Sequence, residues 1–212
     1  MSRTSLLALI ALGLCACPSR DSVSKPDKEE VDMQPTLDHS ALLDALGRQG
    51  DASVASLFAS EEDYWVEPVP FDGITASRIF RGVPSDTSEP VDFLFAVDLR
   101  SGKAVLTSQN PAGVASVLFA EPAVFDKPAL PKLAFELLRP RAVALTFLGD
   151  AADAPEALRA AWSPPTATRS GDGLRLAFQV LDEGRLIEWQ LELTPPASGA
   201  LKTRQITPGG TP

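Results

Sequence analysis

The stretch that decides the fold is Leu174-Arg-Leu-Ala-Phe-Gln-Val-Leu-Asp-Glu-Gly-Arg-Leu-Ile-Glu-Trp-Gln-Leu-Glu-Leu193. Glu183-Gly184 reads as a two-residue hairpin turn between two alternating runs. That turn sets Leu174 against Leu193, Leu176 against Leu191, Phe178 against Trp189 and Val180 against Ile187. On the reverse face it sets Arg175 against Glu192 and Asp182 against Arg185. A slip of one residue would bring apolar side chains opposite polar ones and lose both charge pairs, so the register is strongly specified. Leu201 to Thr207 follows as a third strand, expected to place Leu201 beside Leu193 and Lys202 beside Glu192.

A polar reverse face implies an antiparallel sheet covered by helices on one side, hence an α+β fold with short helices packed on one face and a C-terminal β-meander. Further upstream, strands are expected at Tyr64 to Val69, Ile74 to Arg81, Val91 to Arg100 and Lys103 to Ser108. The last two flank Ser101-Gly102, which would place Val97 opposite Leu106 and Leu99 opposite Ala104. Between the strand-rich parts, Asn110-Pro111 opens a helix with Val114, Val117 and Leu118 on one face, and Leu130 to Leu138 repeats the spacing. Ala142 to Leu148 is nearly all apolar, which suits a strand covered on both faces or an element deep in the core. Asp153-Ala154-Pro155-Glu156 resembles a capping box with Asp153 as cap, starting a short helix that ends near Trp162. Ahead of the strands, Asp38 caps a helix lined by Ala41, Leu42, Ala45 and Leu46, and Asp51 a second with Val54, Leu57 and Phe58.

At 212 residues with 44% hydrophobic side chains the chain can bury an ordinary core, which excludes wholesale disorder. Two sheet-forming halves, roughly 36 to 108 and 109 to 207, would share that core as one domain over 36–207, and 208–212 should fray. Against 28 Asp and Glu stand 19 Lys and Arg, a net charge of −9 without any basic block. Nucleic acid is held by clustered Lys and Arg that displace counterions, so the charge argues against it as a partner and no nucleic acid is expected; the same sign disfavours docking on an anionic membrane through a polybasic patch.

The first sixteen residues read as a segment apart from the fold. Arg3 precedes an apolar run from Leu6 to Leu14, the length of a signal-peptide core and too short for a bilayer, which needs about 20 apolar residues. Leu14-Cys15-Ala16-Cys17 resembles the lipobox of bacterial lipoproteins. The resemblance covers residues 1–17 only. It implies a diacylglyceryl group on the Cys17 thiol, cleavage before Cys17 and acylation of the new amino group, commonly by palmitate. The lipid bilayer is then the partner of Cys17, and Pro18-Ser19 after the cysteine leans toward the outer membrane rather than inner-membrane retention. Ordinary secretion with cleavage after Ala16, leaving a free thiol, is the alternative, and a core helix with inert cysteines is another. Residues 17–35 are polar, Pro-punctuated and aperiodic, a disordered tether with a root-mean-square reach of roughly 25 Å. Ser22-Val23-Ser24-Lys25 fits the Ser-x-x-Lys pattern of penicillin-binding enzymes but lacks that family's partner motifs.

Little in the remainder points to catalysis. His39 is the sole histidine and belongs to the first turn of a short helix, where a solvent-facing or capping role is expected. No nucleophile elbow, zinc motif or phosphate-binding glycine loop is present, so no catalytic residue, metal ligand or cofactor is assigned. Ser170-Gly171-Asp172-Gly173 reads as a hairpin approach. Glu61-Glu62-Asp63, or Asp150 with Asp153, are the candidate acids for hydrolysis or calcium, each also readable as a solvated face or cap. Trp65, Trp162 and Trp189 with Phe93, Phe95 and Phe178 read first as core and second as the lining of an apolar ligand site.

The expectation is a membrane-anchored lipoprotein of the bacterial cell envelope, its domain facing the periplasm or cell surface. That domain would act by binding, as an adaptor toward envelope proteins, rather than as an enzyme. The alternatives are a carrier or sensor of a small apolar ligand such as a lipid, and a carboxylate-dependent hydrolase.

Overall fold

A computed structural model describes residues 64–84, 92–140 and 143–207. Cys17, the tether, Ser22 to Lys25, His39, the two N-terminal helices and Glu61-Glu62-Asp63 lie outside the described residues.

The C-terminal hairpin forms in the expected register. Strands β7 (Gly173–Asp182) and β8 (Arg185–Thr194) pair Leu174 with Leu193, Phe178 with Trp189 and Asp182 with Arg185. Glu183 and Gly184 both take positive φ, 47° and 80°, as the tight hairpin turn requires. Arg175 reaches Glu192 at 3.1 Å and Arg185 reaches Asp182 at 2.8 Å. These pairs are half-exposed, so they mark the register more than they add stability. Strand β9 (Ser198–Ile206) starts earlier than expected and is displaced by two residues: Leu201 faces Leu191 and Lys202 faces Gln190. Only Pro195 to Ala197 separate Thr194 from its partner Ser198, so the chain turns back sooner than the sequence suggested. Lys202 still reaches Glu192 diagonally, at 3.7 Å.

Strands β5 (Leu145–Leu148) and β6 (Thr166–Ser170) share one edge of β7 and complete this five-stranded sheet. The apolar run before Gly149 is therefore an edge strand and not one covered on both faces. Thr146 is exposed, Val143 is 40% exposed, and only Leu148 is fully buried.

The other sheet is a four-stranded antiparallel meander of β1 (Tyr64–Val69), β2 (Ser77–Pro84), β3 (Phe93–Asp98) and β4 (Ala104–Leu106). Its last hairpin departs from the expected register. Val97 faces Ala104 and Phe95 faces Leu106, because the connection runs from Leu99 to Lys103 instead of two residues. The Asp98 carboxylate causes this by accepting the backbone N–H groups of Arg100 (3.1 Å) and Ser101 (2.6 Å), which opens a wider turn. Thr107 and Ser108 leave the ladder, and their side chains bond the backbone of Leu94.

Helices α1 (Pro111–Ala120) and α2 (Leu130–Leu138) form as the sequence predicts. Their apolar sides, with Val114, Leu118, Phe135 and Leu138, join Ile79, Leu94 and Ala96 of the first sheet and Leu176, Phe178 and Leu191 of the second in one core. Phe135, Phe147, Phe178 and Trp189 interlock at its centre, with ring centroids 5.6 to 6.1 Å apart. A smaller cluster sits on the reverse face of the second sheet, where Leu181, Leu186 and Ile206 meet Ala154, Leu158 and Trp162. It is covered by two 3-10 turns, Ala151–Asp153 and Glu156–Ala161, in place of the expected single helix. The cap of the first is Asp150, and Asp153 is its reciprocal partner. Gln179, 3% exposed, pins the following chain by accepting Ser163 N–H (2.9 Å) and donating to the Ala161 carbonyl (3.1 Å).

Helix α1 touches strands of both sheets because glycine stands at the two contacts. A Cβ on Gly113 would lie 1.8 Å from the Leu106 carbonyl oxygen, and one on Gly199 would lie 2.6 Å from that of Pro111. Both obstacles are backbone, which a rotamer change cannot move. Gly113→Ala is therefore expected to cost about 3 kcal/mol or more, the upper range for an overpacked site. Urea denaturation followed by tryptophan fluorescence checks it; an unchanged midpoint would mean that α1 does not sit on β4.

Candidate functional site

The site grows from the connection between β1 and β2. Pro68 and Pro70 lack the N–H that would continue an edge ladder, and Gly73, at φ 86°, reverses the chain with Ile74 N–H on the Phe71 carbonyl (3.2 Å). The next two N–H groups are claimed by a side chain from elsewhere. Glu121 closes α1, is 5% exposed, and accepts the backbone N–H of Thr75 and of Ala76 on Oε1 and the Thr75 hydroxyl on Oε2 (3.0 Å). This commitment explains why β2 begins at Ser77 and not at Ile74.

Held in this way, the loop walls a groove of about 420 Å³. Val69, Ile74 and Ile79 form its apolar side and belong to the edge of the main core, while Pro70, Phe71 and Asp72 form the lip. On the far side of Ser77 lies a second, polar recess of about 230 Å³ with Asp98, Ser101, Lys103 and Ser116. The Asp98 carboxyl is held below its ordinary value, first by the Ser101 hydroxyl and then by the Ser101 backbone N–H. An apolar groove of this size with a few polar groups at its rim suits an apolar side chain or short segment of a partner.

Asp150 and Asp153 are brought together, but as a reciprocal cap: Asp150 accepts Ala152 N–H (2.8 Å) and Asp153 accepts Asp150 N–H (3.0 Å). Among the described residues no group of three or more His, Cys, Asp or Glu is placed to hold a metal ion. Ser170 pairs with Gly173 at the β6–β7 turn, as a hairpin approach should. Phe93, Phe95, Phe178 and Trp189 are buried, and Trp162 is half-buried in the reverse-face cluster. Trp65 differs, being 46% exposed with the Arg81 guanidinium 5.6 Å from its ring centroid. Arg81 also bridges Glu67 (3.1 Å) and the buried Asp92, so the tryptophan belongs to a charged cluster and not to the core. Among the described residues no helix is long and apolar enough to cross a membrane.

Glu121 is the positioning residue that the sequence reading missed. A readable signal existed: an acidic side chain at a helix C-terminus opposes the macrodipole and calls for some other partner.

Glu121→Ala leaves two loop N–H groups without their acceptor, and the expected loss is about 2–3 kcal/mol, read as a lower urea midpoint. Amide exchange should rise first at Thr75 and Ala76; unchanged protection there would rule out the anchoring role. Asp98 supplies a pH test. Its folded-state pKa lies below the ordinary 3.8, so its contribution is complete above that value and is lost as pH falls through the folded one. The stability gap between the wild type and Asp98→Asn should therefore be present at neutral pH and close in strong acid; a gap independent of pH would refute the linkage. No protein-family model, no curated protein and no solved structure matches this chain, so its function is argued from its own residues.

Proposed function

We propose that this chain is a lipid-anchored protein of the bacterial cell envelope whose folded part works by binding, as an adaptor toward another envelope protein. The observation that carries the anchoring is Leu14-Cys15-Ala16-Cys17 at the end of an apolar run of signal-peptide length. Acyl chains on Cys17 bury apolar CH₂ groups at about 0.8 kcal/mol each, enough for stable retention when more than one chain is attached. Cys17 then holds the membrane, and residues 17–35 let the domain reach a partner beside it. The outer membrane is the location favoured by Pro18-Ser19.

Two features support binding through a surface over the alternatives. The centre of the main core is occupied by the interlocked rings of Phe135, Phe147, Phe178 and Trp189, which favours an adaptor over a carrier of an enclosed apolar ligand. The carboxylates Asp150 and Asp153 are engaged by backbone N–H groups, which favours binding over acid–base catalysis. The groove beside Phe71 is the docking face on this reading.

Native mass spectrometry of the full-length protein, released gently from its membrane, tests both halves. The expected species is residues 17–212 plus acyl chains in a defined complex with a second protein. Cys17→Ser should abolish the acyl mass and release the protein from the membrane fraction. Pro70→Glu, at the exposed lip of the groove, should keep the acyl mass and lose the complex. An unmodified wild-type chain would refute the lipoprotein reading, and a small apolar adduct in place of a protein partner would favour the carrier.

A further inference from the structure

Six polar residues are buried among the described residues, and five of them are bonded through their side chains. Glu121 accepts Thr75 and Ala76, Asp92 accepts Arg81, Thr107 and Ser108 bond Leu94, and Gln179 spans Ser163 and Ala161. Ser77 is the sixth. It is 8% exposed, and among the described residues no hydrogen bond uses its hydroxyl. Buried polar groups in folded proteins are paired, with protein or with a bound molecule, so this hydroxyl calls for a partner. It lines the polar recess of about 230 Å³.

The sheet brings charge to the same recess. Ser77 stands two residues before Ile79 on β2, Asp98 two after Ala96 on β3, and Lys103 two before Val105 of β4. Ile79, Ala96 and Val105 all pack on the main core, so the three polar residues extend that face beyond it. Ser77 is the register partner of Asp98, and Asp98 N–H donates to the Lys103 carbonyl at 3.0 Å. Helix α1 contributes Ser116 and Val117. Although Asp98 and Lys103 are neighbours of opposite charge, among the described residues no ion pair joins them. The Asp98 carboxylate is engaged instead by the N–H groups of Arg100 and Ser101, and its lowered pKa keeps it ionised at neutral pH.

We propose that this recess binds a free α-amino acid with a small apolar side chain, its ammonium facing Asp98, its carboxylate facing Lys103 and the Ser77 hydroxyl, and its side chain against Val105 and Val117. A carboxylate and an ammonium lining one cavity select a ligand that carries both charges, because a lone anion meets Asp98 and a lone cation meets Lys103. The volume selects a small one, since sites for drug-sized molecules run from roughly 300 to 1,000 Å³. The site shares Ser77 alone with the groove beside Phe71 and does not rest on the adaptor reading.

The test titrates L-valine into the full-length protein in detergent and follows the backbone amides by two-dimensional NMR. Saturable shifts are expected, centred on Ser77, Ser101, Lys103 and Ser116. Acetate and methylammonium, which carry one charge each, should bind at least about tenfold more weakly. Ser77→Ala should lose about tenfold in affinity for valine, and Lys103→Gln a similar factor. Neither substitution removes a described side-chain bond of the fold, so both variants should otherwise keep the wild-type spectrum. A serine with a packing role alone would leave valine binding unchanged in Ser77→Ala, which would overturn the assignment. So would the absence of any saturable shift, the result if the recess holds only water, shifts centred elsewhere, or equal binding of either one-charge analogue.

Discussion

The joining of the two sheets depends on how closely α1 approaches backbone on either side of it. Gly113 leaves the Leu106 carbonyl room against the helix, the Asn110 amide donates to the same oxygen at 2.8 Å, and Gly199 lets β9 meet the first turn at Pro111. Glycine inside a helix costs about 1 kcal/mol relative to alanine, so its presence needs a compensating contact. That contact brings Val114, Val117 and Leu118 between strands of both sheets, where each is at most 1% exposed. At the other end of the same helix, Glu121 takes hold of the β1–β2 loop. One ten-residue helix with its C-cap therefore joins the first sheet, the second sheet and the groove, and the groove's loop is fastened by Glu121 as well as by its own turn at Gly73.

Polar side chains, most of them buried, set the boundaries of the elements. Glu121 claims two N–H groups and delays β2; Asp98 claims two and widens the β3–β4 turn; Thr107 and Ser108 bond Leu94 and shorten β4. In each case a side chain satisfies backbone groups that a regular ladder would otherwise have used, as buried or turn-forming backbone requires. Gln179 does the same on the reverse face, where it fastens the chain between the second 3-10 turn and β6.

This explains what could be read from the sequence. The β7–β8 hairpin was legible because one turn and one alternation specify it twice over, and α1 and α2 were legible from Pro at their starts and apolar spacing. The β3–β4 and β8–β9 registers were each misjudged by two residues, a slip that keeps the apolar faces aligned and so leaves no trace in the pattern. Only the turn distinguishes the alternatives, and at Asp98 the turn is decided by a side chain. The reverse-face cluster was half legible, since the hairpin register itself pairs Leu181 with Leu186 away from the core. The groove was not legible, because its walls depend on Glu121 lying next to residues 45 and 46 positions away in sequence.

The groove and the leash make sense together on the proposed reading. A surface cleft closed on one side by a loop offers a partner limited contact, and limited contact alone gives weak binding. Confinement changes that balance. A domain held by a leash reaching roughly 25 Å samples a thin layer beside the membrane, and a partner held in the same layer meets it at high effective concentration. A modest interface then suffices, and a deep or enclosed site is unnecessary. The same reasoning assigns a use to the rigidity of the loop: when contact is small, little can be spent on ordering the surface at the moment of binding. Glu121, already bonded to Thr75 and Ala76 within the fold, supplies that order in advance.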